Sequence, residues 1–88
     1  MQKHTKVYFK HFGLGEQSDI CCEICGKGGR ADKAGFDLHH LTPRSQGGKD
    51  VIENLILLCR KCHNRAHDET INKAVLKARH EIFMEANL

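Results

Sequence analysis

Four of the five cysteines in this 88-residue chain form two C-x-x-C pairs, Cys22 with Cys25 and Cys59 with Cys62. This spacing is typical of zinc sites, in which four thiolates close a tetrahedron around the ion. A chain this short buries only about 60% of the surface that its unfolded form exposes, so it often needs a cross-link of this kind. We therefore predict a structural Zn²⁺ site that joins the two pairs.

A disulfide framework is the other interpretation of the cysteines, and three observations count against it. The number is odd, four of the five have metal spacing, and residues 1–4 are polar, unlike the start of a secretory signal. We therefore expect a reducing, cytoplasmic setting. Cys21 is the spare residue. It can replace Cys22 as a ligand, but Cys22 and Cys25 make the tighter knuckle, which leaves Cys21 as a free thiol.

Composition limits the size of the core and the class of partner. Only 6% of the residues are aromatic, so we expect a small core, and the length predicts a single domain over residues 1–88. The formal net charge of +3 is a mild basic bias, which suits an anionic partner such as nucleic acid without identifying one. No apolar run approaches the ~20 residues of a membrane span, so we expect no membrane partner.

Two short strands and a loop predict a β-hairpin in the middle of the chain. In the strand predicted at residues 36–41, His39 and His40 lie on opposite faces because successive side chains alternate. Residues 42–50 contain a proline and two adjacent glycines, which are typical of a loop. Residues 54–58 form the second predicted strand. With the helices on either side, this pattern predicts an α+β domain.

Helical patterns follow the second cysteine pair. One predicted helix carries His63 and His67, and apolar spacing predicts a C-terminal helix over about residues 71–86. Residues 5–12 are ambiguous. They suit a short helix capped by Thr5, but their apolar centre also suits a strand. The apolar stripe expected to pack on the core from the C-terminal helix consists of Ile71, Val75, Ala78 and Ile82, widened by Leu76 and Phe83.

A cluster of histidines carries the chemistry. His63 and His67 are four residues apart, so a helix places both imidazoles on one face, where they can hold one metal ion. An isolated pair of this kind is equally well explained as a solvated face, but the knuckle at Cys62 fixes the start of this helix. Of His39 and His40, one can complete the metal site while the other takes a proton from water. Three protein ligands and an open position define a catalytic metal site.

The stretch from Cys22 to His67 resembles the HNH endonuclease family. Residues 38–48 resemble the first motif of the family, and residues 53–63 followed by His67 resemble the rest. The motifs cover about half of the chain, and the flanking residues resemble those of small phage-type HNH proteins. The resemblance implies a ββα-metal (His-Me finger) fold, in which a short hairpin and a helix accompany a four-cysteine zinc knuckle and a C-terminal helix.

The resemblance also implies a role for each site residue. His40 is the general base, and Asn54 holds its strand and orients its ring. His39 and His67 are metal ligands, and His63 matches a further ligand of colicin-type DNases. The implied reaction is one-metal hydrolysis of a DNA phosphodiester bond, with a structural Zn²⁺ and a catalytic divalent ion that can be Mg²⁺, Mn²⁺, Ni²⁺ or Zn²⁺.

For the charged residues and the other histidines around the motifs, the sequence pattern indicates a role less specifically. Arg44 lies between the paired histidines and Asn54, and Arg65 lies on the metal-binding helix, so both are predicted to contact DNA phosphates. A phosphate contact and a solvated surface explain Lys49, Arg60 and Lys61 equally well. Asp50 and Glu53 are interpreted as solubilising or capping groups, and a surface position is expected for His4, His11 and His80.

Two alternative functions remain beside a metal-dependent DNA endonuclease. One is a non-catalytic zinc module that binds DNA or protein. The other is a nuclease subunit that is active only within a larger phage packaging or recombination complex. A plain zinc finger does not need the set of His39, His40, Asn54 and His67, and its presence favours the enzyme.

Overall fold

The computed structural model describes residues 2–32 and 35–87 and shows an α+β fold, as predicted. Single 3-10 turns lie at Arg44–Gln46 and Ile52–Asn54. The longer elements are α1 (Lys3–Phe12), β1 (Asp19–Cys21), β2 (Gly28–Arg30), β3 (Phe36–His40), β4 (Leu55–Cys59), α2 (Arg60–His67) and α3 (Lys73–Ala86). The strands form two separate antiparallel hairpins, β1 with β2 and β3 with β4.

The strand β4 is the centre of the molecule, because all five of its residues are buried. Ile56 and Leu58 pack with Leu41, Leu76 and three of the paired cysteines, a group that we call the knuckle-side core. Leu55 and Leu57 face the other way. They pack with Tyr8, Phe9 and Ile20, which we call the α1-side core. One strand therefore supports two small cores, and α1 and α3 cover them.

The ambiguous N-terminal segment is the helix α1, and its start differs from the prediction. The helix begins at Lys3 after Gln2, and no side chain caps it, so Thr5 lies inside the first turns. Burial of Tyr8 and Phe9 in the α1-side core, rather than a capping group, fixes where the helix lies. It ends as expected at Gly13, whose positive φ of 67° is a conformation that favours glycine.

The apolar stripe predicted for the C-terminal helix is correct only in part. Ile71 and Leu76 pack on the knuckle-side core and the ring of Phe83 contacts that of Phe12, but Val75 and Ile82 do not face the core. In α3 the buried residues are Leu76 and His80, whereas Val75 and Ile82 are 44% and 59% exposed. The helix begins at Lys73, with the side chain of Asn72 accepting a hydrogen bond from the amide of Val75 at 2.9 Å. The inner face of α3 therefore runs through Leu76 and Phe83, the residues predicted to widen the stripe, with the buried His80 between them.

His80 belongs to a buried polar cluster centred on Glu23, so its expected surface position is also wrong. The Glu23 carboxyl group accepts hydrogen bonds from the Tyr8 hydroxyl at 2.7 Å and the Leu57 amide at 3.0 Å. It also pairs with Nδ1 of His80 at 2.7 Å, and Nε2 of His80 lies 2.7 Å from the carbonyl oxygen of Ile52. The cluster ties α1, β4 and α3 to the first cysteine knuckle, where Glu23 lies.

The helices of the described residues include none with the length and apolar character needed to cross a bilayer.

Candidate metal centre and active site

The two cysteine pairs come together at the junction of the two hairpins. Cys22 and Cys25 lie in the connection from β1 to β2, while Cys59 ends β4 and Cys62 lies in the first turn of α2. The four sulfur atoms lie within 4.8 Å of one another. The measured separation of the Cys25 and Cys59 sulfurs is 3.6 Å, close to the ~3.8 Å edge of a tetrahedron with Zn–S bonds of ~2.3 Å. This four-cysteine cluster therefore fits a tetrahedral metal ion.

Backbone amides donate to two of the sulfur atoms in the four-cysteine cluster. The amide of Cys25 donates to the sulfur of Cys22 at 3.5 Å, and the amide of Cys62 donates to the sulfur of Cys59 at 3.4 Å. Burial raises the pKa of the Cys59 thiol, but the hydrogen bonds from Cys62 and the neighbouring thiols outweigh it and bring the pKa to about 7. Burial, and then hydrogen bonds with the other three cysteines, raise the pKa of Cys62, so the two thiols of this pair shift in opposite directions. The thiolate of Cys59 is thus the form most readily available to a metal ion.

A second cluster joins β3 to α2 and consists of three histidines. His63 and His67 lie one turn apart on the same face of α2, with their Nε2 atoms 3.1 Å apart. The ring of His39 on β3 lies 5.4 Å from each of the other two rings, and one nitrogen from each residue lies within 4.8 Å of the others. Strand alternation alone left open whether His39 or His40 joins the pair on α2, whereas the family resemblance implied His39, and the structure brings His39 there. We call this the three-histidine cluster.

The environment of the three-histidine cluster favours neutral rings for His39 and His63. Burial, followed by the charges of His63 and His67, lowers the pKa of His39 to about 4. Burial also lowers the pKa of His63, although Asp37 opposes this effect. A neutral imidazole keeps the lone pair that a metal needs. The Asp37 carboxylate lies 3.3 Å from Nδ1 of His63 and accepts a hydrogen bond from Nε of Arg60 at 2.7 Å, so it orients this ring from behind.

His40 points to the other side of β3, where it meets a different set of side chains. Its Nε2 lies 2.7 Å from a carboxylate oxygen of Asp50, and its ring centre lies 5.1 Å from that of His4 on α1. Arg44 donates to both oxygens of Asp50 at 2.9 Å. The sequence analysis missed Asp50 and His4 because these contacts bring together segments that are far apart in the chain, for which a local pattern carries no signal.

Asn54 lies in the 3-10 turn before β4, not in the strand as predicted, because its side chain closes the loop over residues 42–50. The side-chain oxygen accepts from the amide of Thr42 at 2.7 Å, and the side-chain amide donates to the carbonyls of Thr42 and Lys49 at 3.0 Å each. The loop is tight, since a Cβ atom on Gly48 would overlap the carbonyl of Thr42. Asn54 therefore fixes the backbone that immediately follows His40.

The predicted phosphate contacts differ in their surroundings. Arg65 is exposed on α2, whereas the 57% exposed side chain of Arg44 is held by Asp50. The structure brings Arg44 to the mouth of the site and leaves Arg65 outside the side chains that line it. His40 and the three-histidine cluster border one open cleft of about 330 Å³. Its lining is Leu38, His39, His40, Pro43, Arg44, His63 and His67.

Comparison with known proteins identifies the class. The profile of the HNH endonuclease family matches residues 22–69, more than half of the chain. The chain belongs to the HNH endonuclease family, which confirms the resemblance inferred from the sequence.

Several curated proteins are similar to the chain over shorter stretches. It is 53% identical over 38 residues to the probable mobile endonuclease C of Enterobacteria phage T4, covering 43% of this chain and 18% of that protein. It is 36% identical over 56 residues to the type IV methyl-directed restriction enzyme EcoKMcrA of Escherichia coli K12, covering 59% and 20%. It is 48% identical over 29 residues to anaredoxin of Nostoc sp., covering 33% and 38%. The chain thus spans a fifth or less of the two nuclease relatives. No solved structure shows significant similarity to it.

Proposed function

We propose that this protein is a metal-dependent endonuclease that hydrolyses phosphodiester bonds in DNA. The observation that carries the proposal is the placement of consecutive histidines on opposite sides of β3. His39 joins the pair on α2, His40 meets Asp50 and Arg44, and both line one open cleft. Membership of the HNH endonuclease family supports nuclease activity. Similarity to the T4 endonuclease and to the restriction enzyme supports DNA as the substrate.

The three-histidine cluster is the proposed site of the catalytic ion. His39, His63 and His67 supply three nitrogen ligands and leave positions open for substrate, a donor set that suits several first-row ions as well as Zn²⁺. When bound, a divalent ion supplies positive charge to the scissile phosphate and its 3′ leaving oxygen. Mg²⁺, Mn²⁺, Ni²⁺ and Zn²⁺ are the ions to compare.

His40 is the proposed general base, which takes a proton from the attacking water. Asn54 acts on the same residue from a distance, because it holds both ends of the loop that follows His40. Arg44 and Arg65 are proposed to contact DNA phosphates. For Arg44 this contact requires the guanidinium to reach DNA from its position beside Asp50.

The four-cysteine cluster is the proposed structural site, and Zn²⁺ is the proposed ion. Its role is to hold the first knuckle against the start of α2. Cysteines that bind a metal as thiolates, rather than forming disulfides, are typical of a reducing, cytoplasmic setting. Four thiolates also accept iron, so metal analysis and a visible spectrum are needed: a zinc protein is colourless, whereas an iron tetrathiolate absorbs visible light. We further propose that residues 1–88 act as a single domain, since α1 and α3 cover the two cores supported by β4.

Two other functions compete with this proposal. A non-catalytic zinc module needs the four-cysteine cluster but has no use for a base and a three-histidine cluster in one cleft. A subunit that is active only in a larger phage packaging or recombination complex keeps the same residues but requires a partner for cleavage.

Cleavage of supercoiled plasmid by the wild type and His40→Ala tests the proposal. Each protein is assayed with Mg²⁺, Mn²⁺, Ni²⁺ or Zn²⁺, its zinc content is measured, and His11→Ala is the control because His11 is an exposed histidine of α1. We expect His40→Ala to lose roughly 100-fold or more in rate, the usual contribution of a general base, with normal zinc content. Full activity in zinc-loaded His40→Ala would refute the assigned base. No cleavage by the wild type with any ion would favour the binding module or the partner-dependent subunit.

A further inference from the structure

The side of β3 that carries His40 holds a compact polar cluster that the two metal sites do not explain. Its members come from three segments: His4 from α1, His40 from β3, and Arg44 with Asp50 from the loop between β3 and β4. The side chains of His40 and Asp50 are only 17% and 13% exposed. A carboxylate partly shielded beside a histidine forms a stronger hydrogen bond than one in open water.

We propose that Asp50 is a positioning residue that selects the tautomer and fixes the ring of His40. This inference rests on the proposed function, in which His40 is the general base. An ionised carboxylate only accepts hydrogen bonds, so at 2.7 Å the Nε2 atom of His40 must carry the hydrogen and donate it to Asp50. The lone pair of the neutral ring then lies on Nδ1, which has no hydrogen-bond partner among residues 2–32 and 35–87.

The tautomer decides which nitrogen accepts the proton. As the water oxygen bonds to phosphorus, one water proton passes to Nδ1, and the ring becomes an imidazolium. The bond from phosphorus to the 3′ oxygen breaks, and that oxygen leaves with the electron pair and takes a proton from solvent. Its Nε2–H remains bonded to the Asp50 carboxylate, which stabilises the positive charge that forms. Asp50 does not touch the reacting atoms and acts only through His40.

The groups around Asp50 keep its carboxyl group ionised, as this role requires. The hydrogen bond from His40 and the guanidinium of Arg44 hold the pKa of Asp50 below its ordinary value despite desolvation, so the carboxyl group is ionised. Arg44 also lies 3.3 Å from Nδ1 of His4. One ligand atom each from His4, His40 and Asp50 lies within 4.8 Å of the others, a spacing that also suits a metal ion. The guanidinium, however, already supplies a positive charge to both carboxylate oxygens, which favours positioning over metal binding.

Asn54 connects this cluster to the motif of the family. Its side chain donates to the carbonyl of Lys49, the residue next to Asp50, and to the carbonyl of Thr42 at the other end of the loop. The loop therefore cannot move Asp50 away from His40 without breaking these bonds. On this geometry, part of the effect of Asn54 on His40 passes through Asp50.

Steady-state cleavage by Asp50→Asn, with the catalytic ion that supports the wild type, provides the first test. We expect kcat to fall by at least about 10- to 100-fold, the range for loss of the carboxylate behind a metal-ligating histidine, and KM to change little. Asp32→Asn is the matched control, since Asp32 pairs with exposed Arg30 outside the cleft, and its kinetics should not change. Asp50→Glu retains an acceptor and should lose less than Asp50→Asn.

A double-mutant cycle tests whether Asp50 acts through His40. In the His40→Ala background, Asp50→Asn should produce no further loss of rate. An equal loss in both backgrounds would overturn the inference, because Asp50 would then act independently of His40.

The ¹⁵N chemical shifts of the imidazole nitrogens give a measurement that does not need cleavage. The His40 signals are assigned by their absence from His40→Ala. In the wild type they should show hydrogen on Nε2, and in Asp50→Asn they should move toward a mixture of tautomers. A wild-type ring with hydrogen on Nδ1, or identical spectra in both proteins, would contradict the assignment. Full cleavage by His40→Ala would instead refute the proposed role of His40 as general base, and the spectra would still decide whether Asp50 fixes the ring.

Discussion

The four-cysteine cluster and the three-histidine cluster share the helix α2 but differ in enclosure. Three of the four cysteines are buried, and backbone amides donate to the sulfurs of Cys22 and Cys59. In the three-histidine cluster, His39 and His63 are partly buried and His67 is exposed at the cleft. The four cysteines can surround an ion completely, whereas the three histidines leave room for a further ligand.

The difference in enclosure suits the two clusters to different roles, one in stabilising the fold and the other in catalysis. An enclosed site contributes its binding energy to folding, because the unfolded chain cannot present four thiolates together. An open site gives up part of that energy to keep positions for substrate. The two clusters should therefore respond differently when a ligand is removed.

Cys25→Ser is expected to have the largest effect on folding. Binding of structural zinc is worth on the order of 10 kcal/mol in zinc-finger peptides, comparable with the whole stability of a small domain. The variant should lose zinc and its cooperative thermal transition, measured by metal analysis and circular dichroism. Cys21→Ser is the control, since Cys21 lies outside the cluster, and it should keep both. A cooperative transition with normal zinc content in Cys25→Ser would contradict the structural role of the four-cysteine cluster.

His67→Ala should separate the clusters in the opposite direction. The side chain is exposed, so the thermal transition and the zinc content of the four-cysteine cluster should remain close to those of the wild type. Cleavage should fall by about 100-fold or more, because bound metal typically contributes several kcal/mol to the transition state. Titration calorimetry should show loss of the second divalent ion. Unfolding of His67→Ala would mean that the three-histidine cluster is structural as well.

The pH dependence of stability provides a smaller test, on the support of the four-cysteine cluster. Burial opposes a charge on His80, but its hydrogen bond to Glu23, the charge of Glu23, the carbonyl of Ile52 and the charge of Glu53 together raise its pKa. A raised pKa stabilises the folded state fully below the unfolded pKa of about 6.5. This contribution is lost as the pH rises through the folded value. Denaturant unfolding should therefore show that His80→Gln is most destabilised relative to the wild type at the acidic end.

Zinc binding also depends on pH, but it does so in both the wild type and His80→Gln, so it cancels in the difference between their free energies of unfolding. If the stability difference between the wild type and His80→Gln were constant from pH 6 to pH 9, an uncharged hydrogen bond would explain the role of His80.

Features that depend on neighbours in the sequence could be predicted, and features that depend on packing could not. The spacing of the cysteine pairs and of His63 with His67 directly predicted two groups of possible ligands. Strand alternation showed that His39 and His40 have different surroundings, but not which of them faces α2. That choice depends on which side of the hairpin the helix occupies.

The errors have one physical cause, which is that burial of polar groups leaves no periodic pattern. His80 was expected at the surface because no partner for it is visible in the sequence pattern, yet a buried Glu23 gives it a partner. Without that pair, the apolar stripe of α3 was drawn through Val75 and Ile82, which are exposed. Asp50 was taken for a solubilising residue, since its contact with His40 exists only when the loop folds back.

Cys62 and His63 are consecutive residues of α2, and this adjacency limits how the domain can be rebuilt. Each residue of an α-helix turns the chain by about 100° and advances it by about 1.5 Å. A single residue inserted between them would leave the cysteine knuckle intact but swing both helical imidazoles roughly a quarter-turn away from His39. Insertions for labels, fused domains or altered substrate grooves are therefore better placed in the connection between α2 and α3, where they change no angle between the two clusters.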